Sequence, residues 1–451
     1  MFKFGKYVFT FPYSKNNNFI LAYSYVKNSL VIFYKDDLKK IIDSIDKVNN
    51  NSQVRFSNFD LYKLERSGIL VKGNTDEEKE IKEILERGKF TNDTLYLVIT
   101  YTFKCNMECV YCFQQNLEKI KLNEKDKIRI IEWVRGYLKK NNFIKKVYIN
   151  LFGGEPLLDL ESFYFFIKKI KEICLKENLD FGFSFTTNGM LMENIDINSL
   201  KNEGLKGIQF TLDGPKNVHN KRRKSKSGVD SYEKIMRSLE MCCRYDDLDI
   251  LLEVNFDKQN IFSLPILFDE LIKRKIEGRI TLSPEPVMPY IRNHKLSSDN
   301  LDHYELYGLD GEELINAYKY ILREIIQRNM LLSPTLGRFY PCTFTHSHHL
   351  IIGPDKKIYK CAFMCGFEEF SIGDIEKNTL VDKFRVSDIP SKCFNCKFLP
   401  ICGGGCRYKS WLKYKSFRKI YCEKKLLEEI QPILIEYKYN DKIEKFIKNI
   451  S

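Results

Sequence analysis

The chain reads as an α/β protein built on a parallel sheet of six strand-then-helix units, open or closed into a partial barrel. Three observations predict this. From about residue 94, short β-rich runs alternate with amphipathic helical runs. Eleven of the fourteen cysteines fall in two clusters, at 105–112 and 342–422, which bracket that alternating region. The first 90 residues follow another pattern, strands first and helices after.

Taken in order, KYVFTFPY, FILAYSYV and SLVIFYK read as strands, and DDLKKIIDSIDKV and FDLYKLERSG as helices leading to Ile69-Leu70-Val71. Together they form a small N-terminal α+β domain over 1–90. The alternating region begins with TLYLVITY and helix KDKIRIIEWVRGYLKK, then KVYINLF and helix LESFYFFIKKIKEICLKE. DFGFSFTT follows, then IQFTL with YEKIMRSLEMCCRY and LDILLEVNF with FSLPILFDELIKRK. RITLSPEP with GEELINAYKYILREIIQRN completes it, giving a second domain over 91–330. Beyond 335 the helical period fades and Cys, Gly and short turns take over, which marks a Cys-rich third domain over 331–451. A chain of 451 residues exceeds one ordinary core, consistent with this division.

Composition excludes several classes. No run approaches the roughly 20 apolar residues of a membrane helix, and the N-terminus lacks an apolar h-region with a cleavage site. No membrane and a cytoplasmic location are therefore expected. The net charge of +13 comes mostly from Lys interleaved with Glu in helical stretches, as in KEIKEILERGK. It reads as a solvated surface, so nucleic acid is not an expected partner. In a reducing compartment fourteen cysteines do not imply disulfides. Cys174, Cys242 and Cys243 sit in helical runs and read as core; the clustered eleven point to metal.

Cys105-x3-Cys109-x2-Cys112 follows the first strand of the alternating region. Three thiolates on one loop can hold three irons of a cubane, and a ferredoxin-like cluster would need a fourth Cys. None lies nearby, since Phe113-Gln114-Gln115 follow, so one iron is left for an exogenous ligand. Zinc held with a fourth residue from elsewhere is the alternative, although the spacing departs from paired CxxC. Further motifs come after the successive strands: Gly153-Gly154-Glu155-Pro156, then Ser184 through Asn188-Gly189. Leu212-Asp213-Gly214-Pro215 with His219 and Arg222 follows, then Val254-Asn255. Singly, each could be a turn, a helix cap or a surface charge. Their order is what gives them weight.

CxxxCxxC with this ordered set resembles the radical S-adenosylmethionine (SAM) superfamily. The resemblance implies a partial (β/α)6 barrel with a 4Fe-4S cluster on Cys105, Cys109 and Cys112. SAM chelates the open iron and is cleaved to a 5′-deoxyadenosyl radical. By the same resemblance Glu155 accepts hydrogen bonds from the SAM ammonium, and Gly153 and Gly154 let the backbone approach. Ser184 and Asn188 contact ribose and carboxylate, Asn255 approaches adenosine, and Tyr111 lines the adenine side.

The second cluster, Cys393-x2-Cys396-x5-Cys402-x3-Cys406 and then Cys422, would in isolation suit a zinc ribbon. Behind a radical SAM core it resembles a SPASM domain, the module that holds two auxiliary 4Fe-4S clusters. Carried over, Cys342, Cys361 and Cys406 bind the first, and Cys393, Cys396, Cys402 and Cys422 the second, which makes three clusters in all. The fourth ligand of the first could be Cys365, a residue of the 344–349 stretch, a more distant side chain or the substrate. His346, His348 and His349 read as solvated or as shaping the site. The sequence departs once from the pattern: Lys356 stands where the family has Gly. This costs ~1 kcal/mol if φ is positive there.

Radical SAM proteins with SPASM modules mostly act on peptides or proteins. One branch, the anaerobic sulfatase-maturating enzymes, places an acidic base directly after the Cys aligned with Cys361. Here Ala362 and Phe363 follow instead. Maturases of ribosomally made peptides often begin with a winged-helix-like module that takes up a leader peptide as an added strand. Residues 1–90 could be such a module, or could merely cap the barrel. The expectation is a peptide maturase that oxidatively crosslinks a precursor peptide through a thioether or carbon–carbon bond. Its partners would be that leader-bearing peptide and an electron donor such as flavodoxin or ferredoxin. A formylglycine-generating or other protein-oxidising enzyme is the alternative. An iron–sulfur carrier or peptide-binding scaffold is the non-catalytic one.

Overall fold

The computed structural model describes residues 2–49, 61–90, 93–114, 117–288, 308–333, 342–381 and 389–449. They fall into two compact units. One comprises 1–91, 334–346 and 384–451, the other 92–333 and 347–383. Among the described residues no helix is long and apolar enough to cross a membrane.

The first unit opens with β1 (Phe2–Phe4), followed by an antiparallel meander of β2 (Val8–Pro12), β3 (Phe19–Ser24) and β4 (Ser29–Tyr34). The three strand-like runs named above produce that meander. Helices α1 (Lys35–Asn49) and α2 (Leu61–Arg66) lead to β5 (Leu70–Lys72), which pairs antiparallel with β1, and α3 (Glu77–Phe90) follows. The start of the FDLYKLERSG run lies outside the described residues. Ala22, Phe33, Leu38, Ile41, Leu64, Ile69 and Leu70 bury one apolar core between sheet and helices.

The six alternating units are all present in the second unit. Their strands are β6 (Thr94–Thr100), β8 (Lys146–Phe152), β9 (Asp180–Thr186), β10 (Leu205–Thr211), β12 (Asp249–Phe256) and β13 (Thr281–Pro286). They pair parallel in that order, and the short β14 (Leu331–Leu332) pairs parallel with β13. Two further short strands, β7 (Met107–Cys109) and β11 (Arg223–Ser225), form a ribbon of their own. Helices α4 (Glu124–Lys140), α5 (Leu160–Lys176), α6 (Ile197–Glu203), α7 (Lys216–Arg222), α8 (Ser231–Cys242), α9 (Leu264–Lys273) and α10 (Gly311–Gln327) fill the crossovers.

Strand chemistry explains the partial-barrel shape. Along β12, Ile250, Leu252, Val254 and Phe256 are buried, while Leu251, Glu253 and Asn255 between them are half-exposed. β8 repeats this, with Val147, Ile149 and Leu151 buried and Tyr148, Asn150 and Phe152 half-exposed. A parallel sheet covered on both faces would read as continuous apolar runs. Here one face is apolar and the other carries Asn150, Ser184, Gln209, Glu253 and Ser283, as a partly open lumen requires. Side-chain carboxylates and amides start the helices. Asn123 forms a capping box with Asp126 on α4, and Asp159, Asp196 and Asp230 cap α5, α6 and α8.

Residues 347–383 pack with this sheet, although the sequence grouped them with the C-terminal region. β15 (His349–Ile352) pairs parallel with β6 and antiparallel with β16 (Lys357–Tyr359); β17 (Gly373–Asp374) and β18 (Thr379–Leu380) continue the edge. In the hairpin turn Lys356 has φ 61°, so the positive-φ condition on this departure from Gly is met. Its ammonium lies 3.0 Å from Glu376 and 3.5 Å from Asp126, which offsets part of the strain.

The rest of the first unit is α11 (Leu399–Cys402), α12 (Arg407–Tyr414) and α13 (Lys424–Lys448). Tyr7 donates to Phe394 O at 2.9 Å, and Phe9 and Tyr25 pack edgewise on Phe398. Tyr25 also donates to Gln431 on α13 and Tyr13 to Glu444. Within this unit the meander is therefore covered by the cysteine-bearing segment and the last helix.

Candidate active site

The chain holds the first cysteine loop in place by backbone pairing. β7 pairs with β11 so that Cys109 faces Arg223, Val110 N–H donates to Arg222 O, and Lys226 N–H donates to Asn106 O. On the other side Gly154 N–H donates to Thr102 O and Glu155 N–H to Lys104 O. This close approach explains the two glycines. A Cβ on Gly153 would meet Thr102 O at 2.4 Å and one on Gly154 would meet Lys104 O at 2.2 Å.

Cys105, Cys109 and Cys112 all line a cavity of about 700 Å³ at the C-terminal ends of the parallel strands. Gly153, Gly154, Asn188, Asn255 and Tyr111 share its wall. Glu155 and Ser184 do not. Glu155 is fully buried and its carboxylate serves the fold, accepting from Leu157 N–H, Thr187 Oγ1 and Asn188 N–H at 3.0, 2.9 and 2.7 Å. Asn188, held this way, donates to Asn106 Oδ1 at 2.6 Å, with its amide nitrogen 3.8 Å from Cys105 Sγ. Ser184 sits lower on β9 and accepts from Asn150 Nδ2 at 2.8 Å.

Burial pushes the Glu155 carboxyl up to about 7, against the lowering pull of the hydrogen bonds from Asn188, Leu157 and Thr187. A carboxyl raised on folding leaves the folded state holding more protons, so its contribution to stability falls as pH rises from about 4.5 to 7. The loss is about 3 kcal/mol. Glu155→Gln should flatten this slope, and urea unfolding at about pH 5, 6 and 7 measures it. A variant with the wild-type slope would remove Glu155 as its source.

Sequence patterns passed over several wall residues: Gln209, Thr211, Arg223, Glu253 and Glu285. The available signal was lumen alternation, which puts Gln209, Thr211, Glu253 and Glu285 on the inward face. Glu253 accepts from Gln209 Nε2 at 2.7 Å and Asn255 Nδ2 at 2.9 Å, and burial raises its carboxyl. Tyr111 is a hub. Its hydroxyl donates to Asp213 Oδ1 at 2.8 Å and accepts from Arg223 Nη1 at 2.8 Å and Asn255 Nδ2 at 3.3 Å. Arg222 lies behind it, 3.2 Å from Asp213 and 2.8 Å from Asp257. His219 accepts from Asp213 N–H through Nδ1 and stays neutral because of its burial.

The donor set fits a cluster. Burial raises the Cys109 thiol to about 12, with Cys112 and Cys105 adding to the rise and Arg223 opposing it. Such thiols stay protonated until a metal takes them as thiolates. Among the described residues no three Cys, His, Asp or Glu side chains close around a single metal ion.

In the first unit Cys393, Cys396, Cys402 and Cys422 also gather. Burial raises the Cys393 thiol, and Cys396 and Cys422 add to the rise. Cys402 is raised to about 12 by burial, with N–H groups of Gly404 and Gly405 donating to its sulfur and Cys393 nearby. The CGGGC run is needed for this turn: Gly403, Gly404 and Gly405 have φ 58°, 88° and 87°, and a Cβ on Gly405 would meet Tyr421 O at 2.6 Å. Cys342 and Cys406 belong to this unit too, whereas Cys361 and Cys365 belong to the second. Cys406 caps α12, its sulfur accepting from Lys409 N–H. Cys365 is buried beside Asp355, Thr100 and Cys361. His348 is buried with Nδ1 2.9 Å from the Tyr137 hydroxyl, and His349 stacks on Tyr96.

Residues 99–250, which include the three-cysteine loop at the mouth of the parallel partial barrel, match the radical SAM superfamily. The chain carries a radical SAM domain and is a radical SAM enzyme, homologous to the anaerobic sulfatase-maturating enzymes. It is 24% identical to the cysteine-type anaerobic sulfatase-maturating enzyme of Clostridium perfringens (strain 13 / Type A), over 75% of this chain and 96% of that protein. It is also 24% identical to the radical SAM cyclopropyl synthase TigE of Paramaledivibacter caminithermalis, over 67% of this chain and 66% of that one. The solved structure of native anSMEcpe with bound AdoMet and Cp18Cys peptide shares the fold. Its TM-score is 0.55 at 21% identity, covering 77% of this chain and 99% of that one. The family's cofactors are a 4Fe-4S cluster and SAM.

Proposed function

We propose that this chain oxidatively modifies a peptide, forming a thioether or carbon–carbon crosslink in a ribosomally made precursor. One observation carries this: the cavity wall runs from Cys105, Cys109 and Cys112 down the lumen face to Glu253 and Glu285, and also includes Ala362 and Phe363. At about 700 Å³ it is large enough for a nucleoside cofactor and a peptide side chain together. When bound, the cluster and SAM supply the 5′-deoxyadenosyl radical. The chain's own part is to hold Asn188 and Tyr111 in the wall and to keep bulk water out with Phe113 packed at a tilt against Phe363, ring centres 4.7 Å apart.

Two auxiliary clusters belong to this reading, on Cys342, Cys361 and Cys406 and on Cys393, Cys396, Cys402 and Cys422. They would take up the electron that an oxidative bond formation leaves behind. Leader recognition by residues 1–90 is supported by a cleft of about 290 Å³ between β5 and α3, lined by Leu70, Lys72, Glu77 and Ile81. Cytoplasmic location and a flavodoxin or ferredoxin donor complete the proposal.

Formylglycine formation is the second reading, favoured by the similarity across almost the whole Clostridium perfringens protein. Co-expression with a short Cys-bearing peptide encoded beside the chain should lower that peptide's mass by two hydrogens. Fragmentation should place a link between two residues. A formylglycine at a single position would support the second reading, and no SAM cleavage by the reduced, reconstituted protein would refute both.

A further inference from the structure

We propose that the face around Cys422 is the docking surface for an acidic one-electron carrier protein, flavin- or iron–sulfur-based. The proposal rests on the cluster read at Cys393, Cys396, Cys402 and Cys422. Three observations carry it. First, Cys422 is exposed, whereas the other described cysteines are half-buried or buried. Electron tunnelling falls steeply with distance, so an exposed ligand marks the edge from which a cluster is reached.

Second, that edge is ringed by one sign of charge. Residues 407–425 hold eight Lys and Arg against one acid, Glu423, and Lys409 takes that acid at 2.6 Å. Lys413, Lys415, Arg418, Lys419, Lys424 and Lys425 are exposed. Aromatic rings hold several of them in place: Lys415 lies over Trp411 at 4.7 Å, and Lys413 over Tyr421, next to Cys422, at 5.5 Å.

Third, two of these cations stand at a helix N-terminus, whose dipole adds to their positive field, although Glu423 is the N-cap and Glu428 lies 3.7 Å from Lys424. Lys424 and Lys425 open α13, whose first turn has no acid, against the positive end of the helix dipole. Acids open α4 (Glu124, Asp126) and α10 (Glu312, Glu313), whereas α12, which also belongs to this edge, opens on Arg407 with no acid in its first turn. Positive potential concentrated at one edge steers an oppositely charged protein into place. In the encounter one electron crosses and no atom moves; the cluster is oxidised by one electron as the carrier is reduced by one.

The test uses reconstituted full-length protein and an acidic flavodoxin as the probe. Lys413→Glu, Lys419→Glu, Lys424→Glu and Lys425→Glu together should weaken flavodoxin binding by calorimetry at least about tenfold at low salt. In the wild type, binding should weaken as salt rises. Iron content and dithionite-driven SAM cleavage should not change. Melting temperature should stay close to that of the wild type, because the gain of Glu at 424 and 425 toward the dipole offsets the lost Lys424–Glu428 pair. The milder Lys413→Gln, Lys419→Gln pair should give a smaller loss in the same direction. Unchanged flavodoxin affinity in the four-fold variant overturns the proposal. So does single-stranded RNA binding that this variant abolishes while flavodoxin fails to bind the wild type. Cys422→Ala with full iron content would instead overturn the cluster reading, independently of docking.

Discussion

Changing Cys105, Cys109 and Cys112 together to Ala should abolish SAM cleavage and, on the proposed reading of three four-iron clusters, should remove about a third of the bound iron. The three sulfurs share one cavity wall, and burial with mutual proximity keeps the Cys109 thiol protonated at neutral pH until metal binds. Without them nothing on the loop replaces the ligands: Phe113 and Gln114 follow, and Asn188 reaches Cys105 only with an amide. The loop itself survives, because its course is set by backbone pairing of β7 with β11 and by the straps from Gly154 and Glu155. Circular dichroism should therefore be unchanged while iron and 5′-deoxyadenosine both fall. A triple variant that still cleaves SAM would show the radical site to be elsewhere.

Much of this centre was legible because its signals are local. A three-cysteine loop has one spacing, and lumen-facing strands alternate visibly, as DILLEVNF does. Of the residues taken in strand-by-strand order, Gly153, Gly154, Asn188 and Asn255 line one cavity, whereas Glu155 and Ser184 do not. What the sequence could not convey is which neighbour satisfies a buried group. The family resemblance marks Glu155 as a cofactor contact, but no sequence signal shows that its oxygens also accept from Leu157, Thr187 and Asn188. Arg223 looks like one more cation in NKRRKSK; only the β7–β11 pairing reveals it opposite Cys109. Residues 347–383 followed the cysteine pattern in sequence but joined the barrel sheet, since β15 supplies the edge partner that β6 needs.

The second large effect is expected behind the cavity wall, at Arg222. Its guanidinium is 6% exposed between two fully buried carboxylates, 3.2 Å from Asp213 and 2.8 Å from Asp257. With Arg223 alongside, two cations balance two anions, and Tyr111 is held by both Asp213 and Arg223. Arg222→Met keeps most of the volume but strands one negative charge away from water. Breaking a buried pair in this way costs about 3–5 kcal/mol. Burial already raises the Asp213 carboxyl above its ordinary range, and loss of Arg222 raises it further. A raised carboxyl stabilises the fold at low pH and loses that contribution as pH climbs past the unfolded value of about 4. The variant should therefore be least stable at neutral pH and partly restored near pH 5, as read by urea midpoints at the two values. Arg222→Lys keeps the charge without the two-pronged geometry and should fall between. SAM cleavage should fall with Arg222→Met as well, because Tyr111 loses its fixed partner Asp213 at the cavity wall. A loss below about 1 kcal/mol at pH 7 would mean that water or Arg223 already neutralises the pair, and that Arg222 does not hold Tyr111 in place.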